Sequence, residues 1–422
     1  MDKSQILAAQ MVGQVLAGHN LTQALDSVWN LHPQLSPQQR AITQDLSYGA
    51  LRHLGRLQAY LAQLLSRKLD DARVQHLLLV SLYQLEFSKT SPYAVVDHAV
   101  RAAGQLKKPW AKGLVNAVLR NFLRQREALQ QSLGEDEIAL YSYPKWWIAK
   151  LKTQYPDRWQ SMLEAGNQRP PMTLRVNRRH LSAAAYQVLL AESGMVATVL
   201  GGDAVVLEQP TSVEKLPGFA AGMVSVQDYG AQFAAPLLDV RDGMRVLDAC
   251  CAPGGKTGHI LESADVAMTA VDSDADRIAR TRSNLVRLGL GSELVIGDAA
   301  NPFGWWDGQQ KFDRILADVP CSASGIVRRH VDIKWLRRER DLQIFAAQQQ
   351  AILRGLWPAL AIGGKLLYAT CSVFLEENQR QIDRFLQEEA GARQLPLPNM
   401  DDGQLLPCTE HDGFFYALLE KV

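Results

Sequence analysis

Two thiols and a carboxylate carry the chemistry this sequence could do. Asp318-Val319-Pro320-Cys321-Ser322-Ala323-Ser324-Gly325 sets an acid three residues before a cysteine, directly after the apolar run Ile315-Leu316-Ala317. A second cysteine, Cys371, stands in Thr370-Cys371-Ser372 after another apolar run, with Glu376-Glu377-Asn378 following. These groups suit an attack on a pyrimidine. Carbon 5 of cytosine cannot take a sulfonium methyl unaided, but a thiolate added at carbon 6 turns the ring into an enamine whose carbon 5 can attack. An acid engaging N3 or the exocyclic amine stabilises the charge that develops on the ring. A base then removes the carbon-5 proton, and the thiol is eliminated.

Such a reaction needs a methyl donor close by. Asp248-Ala249-Cys250-Cys251-Ala252-Pro253-Gly254-Gly255-Lys256-Thr257 follows the short apolar run Val246-Leu247. Its glycines let backbone pass close to a ligand and open onto a helix N-terminus. The spacing is neither that of a Walker A loop nor Gly-x-Gly-x-x-Gly. Asp272, about twenty residues beyond the loop, is placed to accept the hydroxyls of a ribose, and Asp298 ends the next strand. This pair implies an adenosine-containing cofactor, a signal shared with nicotinamide enzymes. Plainer readings compete: strand-end aspartates also cap helices, and Cys250 and Cys251 read as packing beside the cofactor. Lys256 could touch Asp318, the substrate or solvent, while Arg328, Arg329 and His330 could hold phosphates or form an exposed basic turn. The histidines lack metal spacing and no Cys-x-x-Cys is present, so no metal site is expected.

The elements that must position these groups follow from the patterning. From about Arg241, strands alternate with helices, which implies an α/β, doubly wound parallel sheet with Asp248, Asp272, Asp298, Asp318 and Cys371 at the carboxyl ends of its strands. Ligands bind beyond those ends. Upstream, Ser36-Pro37 reads as a helix start, and Ile42, Leu46, Ala50, Leu54, Leu57 and Leu61 make one apolar stripe at helical spacing. Further amphipathic runs make an all-α domain over 1–140. Residues 141–235, punctuated by prolines and short alternating stretches, read as a small α+β module, and 236–422 as the catalytic domain.

With 422 residues, 47% hydrophobic and 21% charged, the chain can bury two or three cores. Its net charge of +1 leaves nucleic-acid affinity to local asymmetry, and residues 1–130 hold 15 Lys and Arg against 8 Asp and Glu. Five cysteines without a regular framework point to a reducing compartment. No signal-peptide pattern opens the chain and no apolar stretch reaches membrane-spanning length, so a cytoplasmic protein without a membrane partner is expected.

The segments Asp248 to Lys256, Asp272, Gly297-Asp298, Asp318 to Gly325 and Tyr368 to Ser372 resemble the RNA cytosine-5 methyltransferases of the NOL1/NOP2/Sun family, as does Gln227-Asp228-Tyr229-Gly230-Ala231-Gln232. The resemblance implies a Rossmann-like fold and S-adenosyl-L-methionine as cofactor, held by residues 250–256, Asp272, Asp298 and Asp318. It also implies Cys371 as the nucleophile and Cys321 as the thiol that assists release. DNA cytosine-5 methyltransferases attack instead with the Pro-Cys residue and lack the second cysteine, so RNA rather than DNA is implied. Lys112-Gly113-Leu114-Val115-Asn116-Ala117-Val118-Leu119-Arg120-Asn121-Phe122 is similar to NusB-like helical RNA-binding domains. The fusion is similar to the architecture of bacterial 16S rRNA cytosine-5 methyltransferases of Sun/Fmu type, which implies 16S rRNA as partner and its cytosine 967 as target. A tRNA cytosine-5 methyltransferase and a non-catalytic RNA-binding assembly factor are the alternatives. Cys250-Cys251 departs from the usual Cys-Ala, and Ala323-Ser324 from Gly-Thr or Ala-Thr.

Overall fold

The computed structural model describes residues 1–398 and 400–422. They divide into two units, Met1–Gln168 with Val327–Glu339, and Arg169–Ile326 with Arg340–Val422.

The first unit is helical. Ser36 caps the helix Pro37–Arg52 through a reciprocal box: its hydroxyl accepts from the Gln39 N–H at 3.2 Å, and the Gln39 side chain accepts from the Ser36 N–H at 3.0 Å. The stripe from Ile42 to Leu61 does not run along one helix. Pro37–Arg52 and Leu54–Leu64 meet at His53, which leaves helical geometry at φ −110° and ψ 21°. Its ring stacks on Phe87 with centroids 4.0 Å apart. Leu77, Leu78, Leu79 and Val80 are all fully buried, so the middle turn of Ala72–Phe87 is covered on every side and lies at the centre of the bundle.

Residues 327–339 belong to this helical unit although they follow the Pro-Cys loop in sequence. Asp332 accepts from the Leu21 N–H at 2.9 Å, and the Trp335 indole donates to the Leu51 carbonyl at 2.8 Å. The Lys334 ammonium, fully buried, donates to the Arg52 carbonyl at 2.7 Å and to Asn167 Oδ1 at 2.8 Å, above the ring of Tyr143. Burial, then the charge of Arg52, holds its pKa well below the usual lysine value. Arg328 is 1% exposed, which corrects its reading as a phosphate-holding or exposed basic residue.

The second unit holds two sheets. Strands β1 (Met172–Val176), β2 (Ala197–Gly201), β3 (Ala204–Leu207) and β4 (Val224–Val226) form an antiparallel sheet in the order β2-β3-β1-β4. Tyr186 and Leu190, from the helix Ala183–Glu192, are buried with Leu174, Val176, Val205 and Val224 of this sheet. The larger sheet contains β5 (Arg245–Asp248), β6 (Ala267–Asp272), β7 (Glu293–Ile296), β8 (Phe312–Asp318), β9 (Leu360–Thr370), β10 (Ala392–Leu395), β11 (Gln404–Leu405) and β12 (Phe414–Lys421). Its order is β10-β12-β9-β8-β5-β6-β7, with β11 paired to β12.

The expectation of a parallel sheet holds from β7 to β9 only. Strand β12 pairs antiparallel with β9, and β10 and β11 pair antiparallel with β12, so the sheet is mixed. Six of the eight residues of β12 are buried, and a run covered on both faces carries no alternation to reveal it as a strand. The chain order reverses between β5 and β8, so the crevice beyond their carboxyl ends is where ligands bind in such folds.

Candidate active site

The site is built at those carboxyl ends. Asp318 is the last residue of β8 and Cys371 follows β9, two neighbouring parallel strands in register from Arg314–Lys365 to Asp318–Ala369. The turn after β8 then carries Cys321 back, so that its sulfur lies 3.3 Å from that of Cys371. Both thiols are partly exposed. The hydrogen bond to Cys371, then burial, pushes the Cys321 thiol well above its usual pKa, so Cys321 keeps its proton.

Glu377 ties the two cysteine loops together. Fully buried, its carboxylate accepts from the Ser322 N–H at 2.7 Å, the Ser322 hydroxyl at 2.5 Å and the Ser372 hydroxyl at 2.6 Å. Gln349 donates a longer bond at 3.3 Å. Burial raises the Glu377 pKa, and the serine hydrogen bonds oppose that rise. Further bonds lace the loops: Gly325 N–H donates to the Cys371 carbonyl at 2.8 Å, and the Gly325 carbonyl accepts from Gly413 at 2.9 Å. A Cβ on Gly325 would lie 2.2 Å from the Gly413 carbonyl oxygen, so only glycine fits there. Ala323 sits at φ 61°, a left-handed conformation that costs a side chain about 1–2 kcal/mol and that glycine adopts freely. The sequence placed Glu377 after the Thr-Cys pair but gave it no role. Three serines flanking two cysteines, Ser322, Ser324 and Ser372, were the available hint of a shared buried acceptor.

Lys256 opens the helix Gly255–Ser263 and reaches Asp318, with Nζ 2.6 Å from Oδ2. Of its open readings, the contact to Asp318 is the one formed. Burial works against the ammonium, yet the carboxylate of Asp318 outweighs it and the lysine pKa is raised. The ion also lies 5.5 Å from the centre of the Phe414 ring. A buried guanidinium holds the start of this helix: Arg175 of β1 donates to both oxygens of Glu262 at 2.8 and 2.7 Å, and to Gln227 Oε1 and the Gly255 carbonyl at 2.6 Å each.

The glycine loop turns through Gly254 at φ 89°, where a Cβ would strike Thr281 at 2.8 Å. Asp272 ends β6 and accepts from the Ala252 N–H at 3.2 Å, with Arg277 3.4 Å away. Asp248 ends β5; Thr257 donates to its Oδ2 at 2.7 Å, while Oδ1 is buried without a protein partner. Burial, opposed by the Thr257 bond, raises the Asp248 pKa to about 7. Cys250 and Cys251 have raised pKa values through burial, so neither presents a thiolate. Asp298 is exposed at the end of β7 and accepts from the Ala300 N–H at 2.9 Å. An orphaned buried carboxylate oxygen, a side-chain-free turn and an acid at the next strand end are a donor set that fits a cationic, ribose-bearing cofactor such as S-adenosyl-L-methionine.

Comparison with known proteins agrees with this geometry. Residues 235–420 match the family model described as 16S rRNA methyltransferase RsmB/F, 143–214 a ferredoxin-like domain of RsmF/B-like methyltransferases, and 2–124 the NusB family. The fold is shared with a crystal structure of a methyltransferase homologue from Pyrococcus horikoshii, 26% identical with a TM-score of 0.60, covering 68% of this chain and 98% of that one. It is also shared with NSun6 from Pyrococcus horikoshii, whose structure contains SFG; this protein is 18% identical with a TM-score of 0.59, covering 67% and 99% of the two chains. Ribosomal RNA small subunit methyltransferase B of Pseudomonas putida is 45% identical over 99% of this chain and 97% of its own length. Identity at that level over the whole length shows that the chain belongs to the ribosomal RNA small subunit methyltransferase B family.

Proposed function

We propose that this protein methylates carbon 5 of a cytosine in 16S rRNA, at the position numbered 967, through a covalent cysteine–cytosine adduct. The observation that carries the reading is the pair of sulfurs 3.3 Å apart, beside the Asp318 that pairs with Lys256. S-adenosyl-L-methionine, bound against residues 250–256, Asp272 and Asp298, supplies an electrophilic methyl group. Cys371 adds as thiolate to carbon 6, and the ring's electron pair shifts toward N3 and the exocyclic amine. Asp318 holds that edge of the base, and Lys256 fixes the carboxylate. Carbon 5 then takes the methyl group. Loss of the carbon-5 proton re-forms the double bond and expels Cys371: Cys321, kept protonated, gives its proton to the departing sulfur, and the thiolate so formed takes up the carbon-5 proton.

The helical residues 1–140, the module 141–235 and the catalytic residues 236–422 form the working division we assign, with the helical part binding RNA in the cytoplasm. No helix among the described residues is long and apolar enough to cross a membrane. The test is methyl transfer from labelled cofactor to 16S rRNA lacking the modification, with the product nucleotide mapped. Label in 5-methylcytosine at the proposed position is expected. Label only in another base, or only in tRNA, would overturn the assignment.

A further inference from the structure

Methyl transfer as written above uses Cys371 and Cys321 in turn and never bonds one to the other. Their sulfurs nevertheless rest 3.3 Å apart. A disulfide brings two sulfurs to about 2.05 Å, which leaves a gap of roughly 1.2 Å that a small rotation about each Cα–Cβ bond can close. The backbone on either side is already fastened: the Gly325 N–H donates to the Cys371 carbonyl at 2.8 Å, and Glu377 takes the hydroxyls of both Ser322 and Ser372. Loops held in this way present one thiol to the other at an effective concentration far above that of any thiol in solution.

The two sulfurs are also unlike. The bond to Cys371, then burial, keeps the proton on Cys321, so Cys321 donates in their contact and Cys371 accepts. The ammonium of Lys256 feels the charge of Asp318 and, more weakly, that of Cys371, which places a cation within electrostatic reach of that sulfur. Thiolates form most readily in such surroundings. Both cysteines are partly exposed, so a small oxidant can reach them. An accessible nucleophilic sulfur with a second thiol against it is the arrangement of a redox-sensing pair.

We propose that Cys321 and Cys371 form a reversible disulfide when the protein meets a peroxide, which switches the enzyme off and shields Cys371 from deeper oxidation. The Cys371 thiolate attacks one peroxide oxygen, the O–O bond breaks, and hydroxide leaves with the proton that Cys371 gave up. Cys371 is then a sulfenic acid. The Cys321 sulfur attacks it, the S–O bond breaks, and the departing hydroxide takes the Cys321 proton. Two thiols lose two electrons, and one hydrogen peroxide becomes two waters. A dithiol reverses the change by exchange. The cross-link stands on the geometry alone, whereas its effect on turnover rests on the reading of Cys371 as nucleophile given above.

The test exposes reduced, full-length protein to hydrogen peroxide, blocks the remaining thiols with N-ethylmaleimide and maps the digest by mass spectrometry. A peptide pair joined through Cys321 and Cys371, two hydrogens lighter than its parts, is expected, with the loss of two of the five free thiols. Methyl transfer should fall roughly tenfold or more in step with the cross-link and return with dithiothreitol. Cys321→Ala removes the resolving thiol, so Cys371 should proceed to a sulfinic acid that dithiothreitol leaves unchanged. Cys408→Ser, which alters another partly exposed cysteine, should cross-link as wild type does. Wild-type protein in which Cys371 gains oxygen without a link, or pairs with Cys408 instead, would overturn the proposal. Failure of the cytosine chemistry reads differently: methyl transfer would be absent before any oxidant was added, while the cross-link still formed.

Discussion

The sulfurs of Cys321 and Cys371 lie 3.3 Å apart although fifty residues separate them. Two parallel strands deliver the loops side by side, but strands alone fix backbone, not sulfur positions. The sulfurs are set by the Glu377 carboxylate, which gathers Ser322 from one loop and Ser372 from the other. Each serine is the residue after a cysteine. The spacing of the thiols is thus held from beneath by a group that touches neither sulfur.

The two thiols should fail in different ways. Cys371→Ala removes the proposed nucleophile, and methyl transfer should fall to background while cofactor binding, read by calorimetry, stays within about twofold of wild type. Cys321→Ala leaves the nucleophile in place but removes the proton source for its release. RNA should then co-migrate with that variant on a denaturing gel, and the adduct should vanish in the double variant. An adduct formed by Cys371→Ala instead would reverse the roles.

Glu377→Ala leaves the Ser322 N–H and two hydroxyls buried without their acceptor. An unsatisfied buried group costs about 1–3 kcal/mol, so a clear drop in the denaturant midpoint is expected. Glu377→Gln keeps an oxygen for the Ser322 N–H, and each serine hydroxyl can rotate to accept from the new amide. Most of the stability should return with it. The positioning role is read in the turnover: kcat should stay depressed in Glu377→Gln at unchanged KM for RNA, because the thiol spacing depends on both carboxylate oxygens.

How much of this was legible follows from what is local. Strand ends, the capping box at Ser36 and the glycine loop are short-range patterns, and β5 to β9 lie close to where the apolar runs placed them. Glu377 acts on Ser322 from 55 residues away, and nothing in its own neighbourhood marks that partner. An exposed basic turn was one reading of Arg328, because arginine is rarely buried, and nothing near Lys334 in sequence marks it as buried either. Their actual surroundings, with Lys334 on the Arg52 carbonyl and the Arg328 carbonyl on the Arg52 guanidinium, come from residues more than 270 positions earlier. The antiparallel edge of the sheet was hidden for a different reason, since a strand buried on both faces has no period to detect.

Asp248 should give the cofactor-free protein a pH signature. Its folded pKa of about 7 lies above the usual carboxyl value of 3.8, chiefly through burial. The folded state therefore holds this proton more tightly than the unfolded chain does. The sign follows: the group's contribution to stability is fully present below about 3.8, declines as pH rises through the interval, and is gone above about 7. Asp248→Asn, which cannot titrate, should gain on wild type in thermal melts as pH is raised from 4.5 to 8. A difference in Tm that stays constant over that range would show that Asp248 ionises normally in the fold.

The pair formed by Arg175 and Glu262 joins the small sheet to the helix Gly255–Ser263, with side chains 0% and 1% exposed. Removing one member strands the other charge in the interior, a loss of roughly 3–5 kcal/mol, whereas removing both leaves only a packing problem. Arg175→Met should thus lower the urea midpoint sharply, and Arg175→Met with Glu262→Met should recover much of it. Stability is not the whole of the effect, because Arg175 also holds the Gly255 carbonyl and Gln227. The double variant should therefore bind S-adenosyl-L-methionine several-fold more weakly than wild type even where its midpoint is restored. Calorimetry on the refolded double variant separates the two: wild-type affinity would make the pair structural cement alone, with no part in shaping the loop proposed to hold the cofactor.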